Sequence, residues 1–402
     1  MGADVSTIQS ALRETWTEAK IAEQLIQDNP VLSKIRQVKN TQMGEYALTP
    51  IHIGRNWGFS TTSSSGGTLN DAGNQSYAQA QWAYTNQHVQ VKIQGAAIDQ
   101  TKGDALSVAS VVDEEVSGAV NDLNRNLNRQ IFLDGTAQIA QCGVTSSSTT
   151  VQLNTTSGYN AIERGWLDVG AVVDIGTTAS SATVAAGVSI TAVDLANSTI
   201  TISGSAITTT TSHYVTLKGA RTTAPVSLEM NGLHNIVSTS ATLGGLTTAS
   251  YPAWTAANAD ATSQALTLSL LYQQNQKIAQ KTGTPADYVV TGLKQQRKAY
   301  ELLQAQVRYQ DETKGTGKVG SVLVNGVELF AVPDCKNEDI FFLTAGDLLQ
   351  VSAGDPYWQS KITGGETLAW VQGEDAYAGK ITVRMNIGAR RRNSHAKLSN
   401  LT

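Results

Sequence analysis

Charge is the scarcest ingredient of this chain. Only 15% of its 402 residues are charged, against roughly 25% in an average soluble domain. Its surface must therefore be largely neutral and polar, or largely covered by copies of itself. The formal net charge of -4 excludes a broad phosphate-neutralising surface, so any contact with nucleic acid has to be local. Cys142 and Cys335 are the only cysteines, too few and too far apart for a disulfide framework or a zinc site. The sequence holds no run of about 18 apolar residues and no standard export signal, so no membrane partner is expected. Proline is absent between Pro50 and Pro225, which leaves room for a long uninterrupted helix.

The usual marks of catalysis are missing as well. His52, His88, His213, His234 and His395 are scattered, without HExxH spacing or a carboxylate at ligand distance along the chain, so no metal is expected. No GxSxG elbow occurs. Gly315-Thr316-Gly317-Lys318-Val319-Gly320 matches G-x-G-x-x-G. A dinucleotide loop, however, needs a strand before it and a helix after it, and here the order is reversed. Asp113-Glu114-Glu115 lies within a helical pattern, where consecutive residues face different directions, so it reads as a solvated or intersubunit face. The chain is expected to be no enzyme, with no catalytic residue and no cofactor.

What is present is pattern. Val5, Ile8, Leu12, Trp16, Ala19, Ala22 and Ile26 follow helical spacing, and such a terminal stripe needs a surface of this subunit or a neighbour to lie on. From Tyr46 to Val91 the only formally charged side chains are Arg55 and Asp71, and Thr61 to Gly67 is low in complexity. The flanks alternate as strands do, which predicts a two-stranded excursion with a flexible tip that rests on another chain. Ala109, Val112, Val116, Ala119, Leu123, Leu127 and Ile131 predict one long helix over 104–134, with Asp104 as N-cap and Gly135 just past its end. Residues 137–226 hold just seven charged side chains and recurrent short β-type runs, which predict a small barrel or sandwich.

Beyond Pro225 the pattern is mixed. Helices are expected from about Thr262 to Lys281 and from Leu293 to Tyr309, with strands at Tyr288–Thr291, Ile340–Leu343 and 378–388. A hairpin is expected around Asn325-Gly326. No acid follows Asp375, whereas Lys380, Arg384, Arg390, Arg391, Arg392 and Lys397 do. This cluster reads either as a solvated basic tail or as a local contact with DNA or acidic neighbours.

The order of these parts resembles the Hong Kong 97-type major capsid proteins of tailed double-stranded-DNA bacteriophages over nearly the whole chain. Local wording is also similar: Ile131-Phe132-Leu133-Asp134-Gly135-Thr136 at the end of the long helix, Met230-Asn231-Gly232-Leu233, Val332-Pro333-Asp334-Cys335, and Gly388-Ala389-Arg390-Arg391-Arg392-Asn393. The resemblance implies an α+β fold with an N-terminal arm over 1–45 and an extended β-loop over 46–93. A peripheral domain over 94–136 would contain the spine helix 104–134, followed by a β-rich insertion domain over 137–226 and a connection over 227–259. An axial domain would span 260–350, and 351–402 would return to the peripheral domain and end in a basic C-terminal tail.

The function implied is self-assembly as pentamers and hexamers into an icosahedral head around DNA. The chain would then be a virion component put together in the host bacterial cytoplasm. Partners would be further copies of itself, portal, scaffolding and decoration proteins, and packaged DNA through local non-specific contact. Expected assembly contacts are Ile8, Leu12 and Trp16 on the arm, and Arg55, Trp57, Trp82 and Tyr84 on the loop. Asp113 and Glu114 on the spine helix and Arg390, Arg391 and Arg392 near the C-terminus complete the set. One departure stands out: members that weld their shells present a loop lysine, and no lysine lies between Lys39 and Lys92, so isopeptide cross-links are not expected. An encapsulin-like cargo compartment is the alternative within the fold, and a Ser/Thr-rich adhesin or glycan-binding β-protein the alternative outside it.

Overall fold

The computed structural model describes residues 31, 34–39, 46–95, 105–154, 161–177, 180–221, 227–239, 242–304, 321–324, 326–358 and 368–402. The expected N-terminal helix and the Gly315–Gly320 loop lie outside them. The fold is α+β; among the described residues it comprises three six-stranded sheets, two two-stranded ones, one long helix, two shorter helices and the single-turn helix Leu233–Ile236.

The first sheet is organised by the strand Ala376–Ala389. Along one side it pairs antiparallel with Thr85–Gln94 over ten residues, from Ala376 opposite Gln94 to Met385 opposite Thr85. Along the other it meets Leu348–Ser352, Tyr357–Trp358 and Ala369–Trp370, and Arg36–Lys39 adds in parallel to Leu348–Ser352. The helix Ala105–Phe132 packs on this sheet at Thr85–Gln94. Its 28 residues make a rod of about 42 Å at ~1.5 Å per residue. Val116, Val120, Leu123, Leu127 and Ile131 form the buried stripe; Val120 joins the predicted set, Ala119 is half-buried, and Asp104 and the side chains of Ala109 and Val112 lie outside the described residues. Gly135, at φ 76°, turns the chain after the helix in a conformation that a Cβ would strain.

A β-rich unit follows, with a hydrophobic core of its own around Val151, Val173, Ile175, Ile190, Ile200 and Val215. Its main sheet has six strands in the order Ala140–Gln141, His213–Leu217, Val172–Thr177, Ser180–Asp194, Thr199–Ile202, Thr150–Gln152. A two-stranded sheet, Thr145–Ser148 with Ile207–Thr209, completes it. Two polar attachments tie this unit to the body. Arg164 donates to the carbonyl oxygens of Asp334 and Cys335 at 2.6 and 2.7 Å, and Trp166 Nε1 donates to Asp334 Oδ1 at 2.9 Å.

The third sheet runs Ala259–Asp260, Ala396–Ser399, Ile340–Leu343, Tyr288–Thr291, Val327–Ala331, Ser321–Val324. Its core includes Leu271 and Ile278 of the helix Leu268–Thr282 and Ala299 of the helix Leu293–Gln304. The hairpin at Gly326, φ 76°, sets Val324 opposite Val327, as the Asn-Gly signal predicts. The first of these helices begins later than the apolar spacing suggests. Thr262 and Ser263 have φ of 52° and 61°, and Thr267 supplies the N-cap, its Oγ1 accepting from Leu270 N at 3.2 Å.

The basic C-terminal tail is a correction. Ala396–Ser399 is an inner strand of the third sheet, paired with both Ala259–Asp260 and Ile340–Leu343. Its alternate residues Ala396 and Leu398 are buried, and this apolar alternation decides the outcome over the surrounding charge.

Candidate assembly surface

The strand Tyr46–Gly54 pairs with Ser76–Ala83 as an antiparallel ribbon, Tyr46 opposite Ala83 and His52 opposite Tyr77. Side chains on a ribbon alternate between faces. Ala47, Ile51, Ala80 and Trp82 turn inward to the main core. The turn at Gly244 seats them: its carbonyl accepts from Gln81 N at 2.9 Å, and the space for a Cβ there is taken by Ala80 and Trp82 at 3.0 and 3.3 Å. Tyr46, Leu48 and Tyr77, on the opposite face, are exposed.

Beyond the ribbon, residues 55–75 form a closed excursion rather than an open tail. Ser63 and Gly66 close a turn, Gly66 N donating to Ser63 O at 2.9 Å. Asn70 crosses to the other limb, donating from N to Ser60 Oγ at 2.5 Å and from Nδ2 to Phe59 O at 2.8 Å. These bonds hold up side chains that nothing among the described residues covers: Trp57 is 81% exposed, Phe59 80% and Leu69 71%. Large aromatic groups held this far into water are the side chains that anchor protein interfaces.

The expected contact residues divide. Arg55 and Trp57 are exposed on the excursion, and Arg390 and Arg391 are exposed at the turn after the long strand. Tyr84 is half-buried at the end of the ribbon, packed against the main core. Asp113 and Glu114 belong to the long helix, but their side chains, like Ile8, Leu12 and Trp16 altogether, lie outside the described residues.

Two assignments are corrected. Trp82 is buried inside this subunit, its Nε1 donating to Thr49 Oγ1 at 3.0 Å, because it falls on the inward alternation of the ribbon. Arg392 is buried too. Its Nε donates to Ile236 O at 2.8 Å and its Nη2 to Asn235 O at 3.1 Å and to Ser238 O, so it caps the carbonyl end of the short helix Leu233–Ile236. Burial lowers its pKa to about 10. Sequence reading missed Phe59, Leu69 and Tyr77, although the alternation from Tyr46 and the aromatic spacing Trp57-x-Phe59 carried the signal.

Chemistry-bearing groups elsewhere are locked into the structure. Burial pushes the Cys142 thiol up to about 12 and Cys335 well above its ordinary value, so neither is a thiolate nucleophile near neutral pH. His234 Nε2 stands 3.1 Å from Asp339 Oδ2, and Lys397 Nζ 3.3 Å from His234 Nδ1, an arrangement that links the body to the third sheet. Among the described residues no group of three His, Cys, Asp or Glu side chains is placed to hold a metal ion. Also among them, no helix is long and apolar enough to cross a membrane.

No protein-family model matches the chain, and no curated protein is significantly similar to it in sequence. Solved structures are similar in fold. A chain of the cyanophage A-1(L) capsid asymmetric unit superposes with a TM-score of 0.57 at 11% identity, covering 93% of each chain. A chain from the capsid of the empty GTA particle superposes with a TM-score of 0.50 at 7% identity, covering 92% of this chain and 89% of that one. At such low identity the likeness is one of fold, and it extends over more than nine-tenths of the chain: the chain has the fold of a phage capsid protein.

Proposed function

We propose that this chain is the major capsid protein of a tailed phage, assembling through pentamers and hexamers into an icosahedral shell that encloses double-stranded DNA. The observation that carries the reading is the fold likeness over 93% of both chains to a cyanophage capsid chain. The outward ribbon adds to it, because its exposed apolar surface is a liability for a solitary soluble protein and an asset for one that is covered by its neighbours. In this reading 1–45 is an arm, 46–93 the extended loop, 105–132 the spine helix, 137–226 an inserted β-domain and 260–350 the axial domain. Portal, scaffolding and decoration proteins are then its partners in the virion.

Bond-making between subunits is non-covalent in this proposal. With no lysine between Lys39 and Lys92, the tip of the loop has no amine to contribute to an isopeptide, and cohesion rests on buried area and interlocking segments. Chemistry at a catalytic site is not part of the function. Electron microscopy of the purified full chain tests the proposal. Uniform icosahedral shells or capsomers are expected. Shells filled with protein cargo would assign a compartment instead, and a monomer that binds glycans would overturn the capsid reading altogether.

A further inference from the structure

A cavity of about 510 Å³ opens between the ribbon and the turn that follows the long strand. Ile51 and His52 line it from the ribbon, Trp254 from a short 3-10 turn, and Arg390, Arg391 and Asn393 from the C-terminal side. Among the described residues no acidic side chain lines it. The Arg390 guanidinium has no partner among the described residues, while Arg391 reaches Asp347 only at 3.9 Å and the Thr282 carbonyl at 3.5 Å. Trp254 is buried, its ring forming part of the wall while its indole N–H is closed off from the cavity. His52 is already engaged, its Nε2 standing 2.5 Å from Gln75 Oε1.

A guanidinium can only donate hydrogen bonds. Two neighbouring guanidiniums line the cavity, Arg390 unpartnered among the described residues and Arg391 only 3.9 Å from the Asp347 carboxylate, and such a place is complementary to an anion rich in acceptors. A carboxylate fits the planar fork of an arginine in a two-bonded geometry, and the volume is ample for one acidic side chain. A DNA backbone suits the place less well. Two cations are few for a phosphate-neutralising surface, and the acidic balance of 33 Asp and Glu against 29 Lys and Arg opposes a polyanion. The same balance means that every further copy brings carboxylates in excess. The cavity also adjoins the ribbon whose other face is exposed and apolar, where a neighbour would gain most by docking.

We infer that this cavity is a carboxylate-binding site, occupied on assembly by an acidic side chain of a second copy of this chain and held there by Arg390 and Arg391. The inference rests on the shell-forming reading for its occupant and on the cavity's own chemistry for its ligand class, and two arms of one experiment separate them. In the first, full-length dissociated subunits are unfolded thermally in glutarate, with chloride of equal ionic strength as control. The wild-type midpoint rises with glutarate and that of R390Q/R391Q does not. In the second, assembly is followed by sedimentation and electron microscopy. The double variant loses assembly by at least about tenfold, the scale of one close charge pair, and glutarate inhibits wild-type assembly.

An equal midpoint rise in both proteins, or unimpaired assembly of the variant, overturns the inference. Wild-type binding to a short DNA duplex with a salt slope that falls in the variant would assign a phosphate ligand instead. A glutarate response in a wild type that forms no shells would keep the site and remove its proposed occupant. Should the double variant fail to fold by circular dichroism, the single R390Q change, at an exposed side chain, takes its place in both arms.

Discussion

Glu229→Gln should cost the subunit about 3–5 kcal/mol, the penalty for leaving one member of a buried ion pair without the other. Arg129 leaves the last turn of the long helix and meets Glu229, which lies just beyond the β-rich unit. The side chains are 2% and 6% exposed. Nη1 donates to Oε2 at 3.2 Å and Nη2 donates to Oε1, a two-bonded fork. Among the described residues Arg129 Nε has no partner, so there Glu229 offsets the desolvation of the guanidinium.

Glutamine keeps the shape and removes the charge, and the cation stays buried without compensation. The loss is a large part of the 5–15 kcal/mol that typically separates folded from unfolded domains. Arg129→Met combined with Glu229→Leu removes both charges and fills similar volume. It should be near neutral, since apolar replacements of whole buried pairs usually are. Urea unfolding of dissociated subunits, followed by tryptophan fluorescence and far-ultraviolet circular dichroism, measures both variants. A loss under about 1 kcal/mol for Glu229→Gln, or a double variant no more stable than the single one, would refute the reasoning.

Stability should also fall on acidification because of His395. Burial pushes its pKa down from 6.5 to about 4, and its Nδ1 stands 3.3 Å from the Thr344 N–H in position to accept, a role the protonated ring cannot fill. Between these two values the unfolded chain holds a proton that the folded one lacks. Stability therefore drops as pH falls, by about 1.4 kcal/mol per unit and about 3 kcal/mol in all. His395→Asn should flatten that slope in pH-dependent urea titrations, and an unchanged slope would remove His395 as the cause. Leu123→Asp should abolish soluble folded subunits, since it puts a carboxylate where the side chain is 4% exposed against the sheet; soluble expression with a native circular dichroism spectrum would contradict this. Deleting Thr61 to Asn70, all exposed, should leave the unfolding midpoint near the wild-type value and impair assembly; a subunit that unfolds would show that the excursion belongs to its core.

Local patterns were legible wherever one periodicity dominated. The step of three or four from Val116 to Ile131 foretold both the long helix and its buried stripe, because such a stripe has no other way to leave water. Asn325-Gly326 foretold its hairpin, and the neutral stretch after Tyr46 foretold a ribbon. The start of the helix Leu268–Thr282 was misread because apolar spacing continues across Thr262 and Ser263. Only the three-dimensional course of the chain, with Asp260 Oδ1 accepting from Thr262 N at 2.8 Å, shows the turn.

By itself, then, the sequence determined the long helix, the ribbon and the hairpin at Asn325-Gly326, since these follow from the spacing of residue types along the chain. Which charges and aromatics face outward was decided by tertiary structure alone. Arg390, Arg391 and Arg392 are adjacent in the chain, yet two are exposed and the third caps a helix in the interior. Trp57 and Trp82 both lie in the nearly uncharged stretch from Tyr46 to Val91, yet one stands in water and the other fills the core. Exposure depends on what a distant segment brings to each face. For Trp82 that segment is the Gly244 turn, and for Arg392 it is the carbonyl end of Leu233–Ile236, and neither approach is written in local spacing.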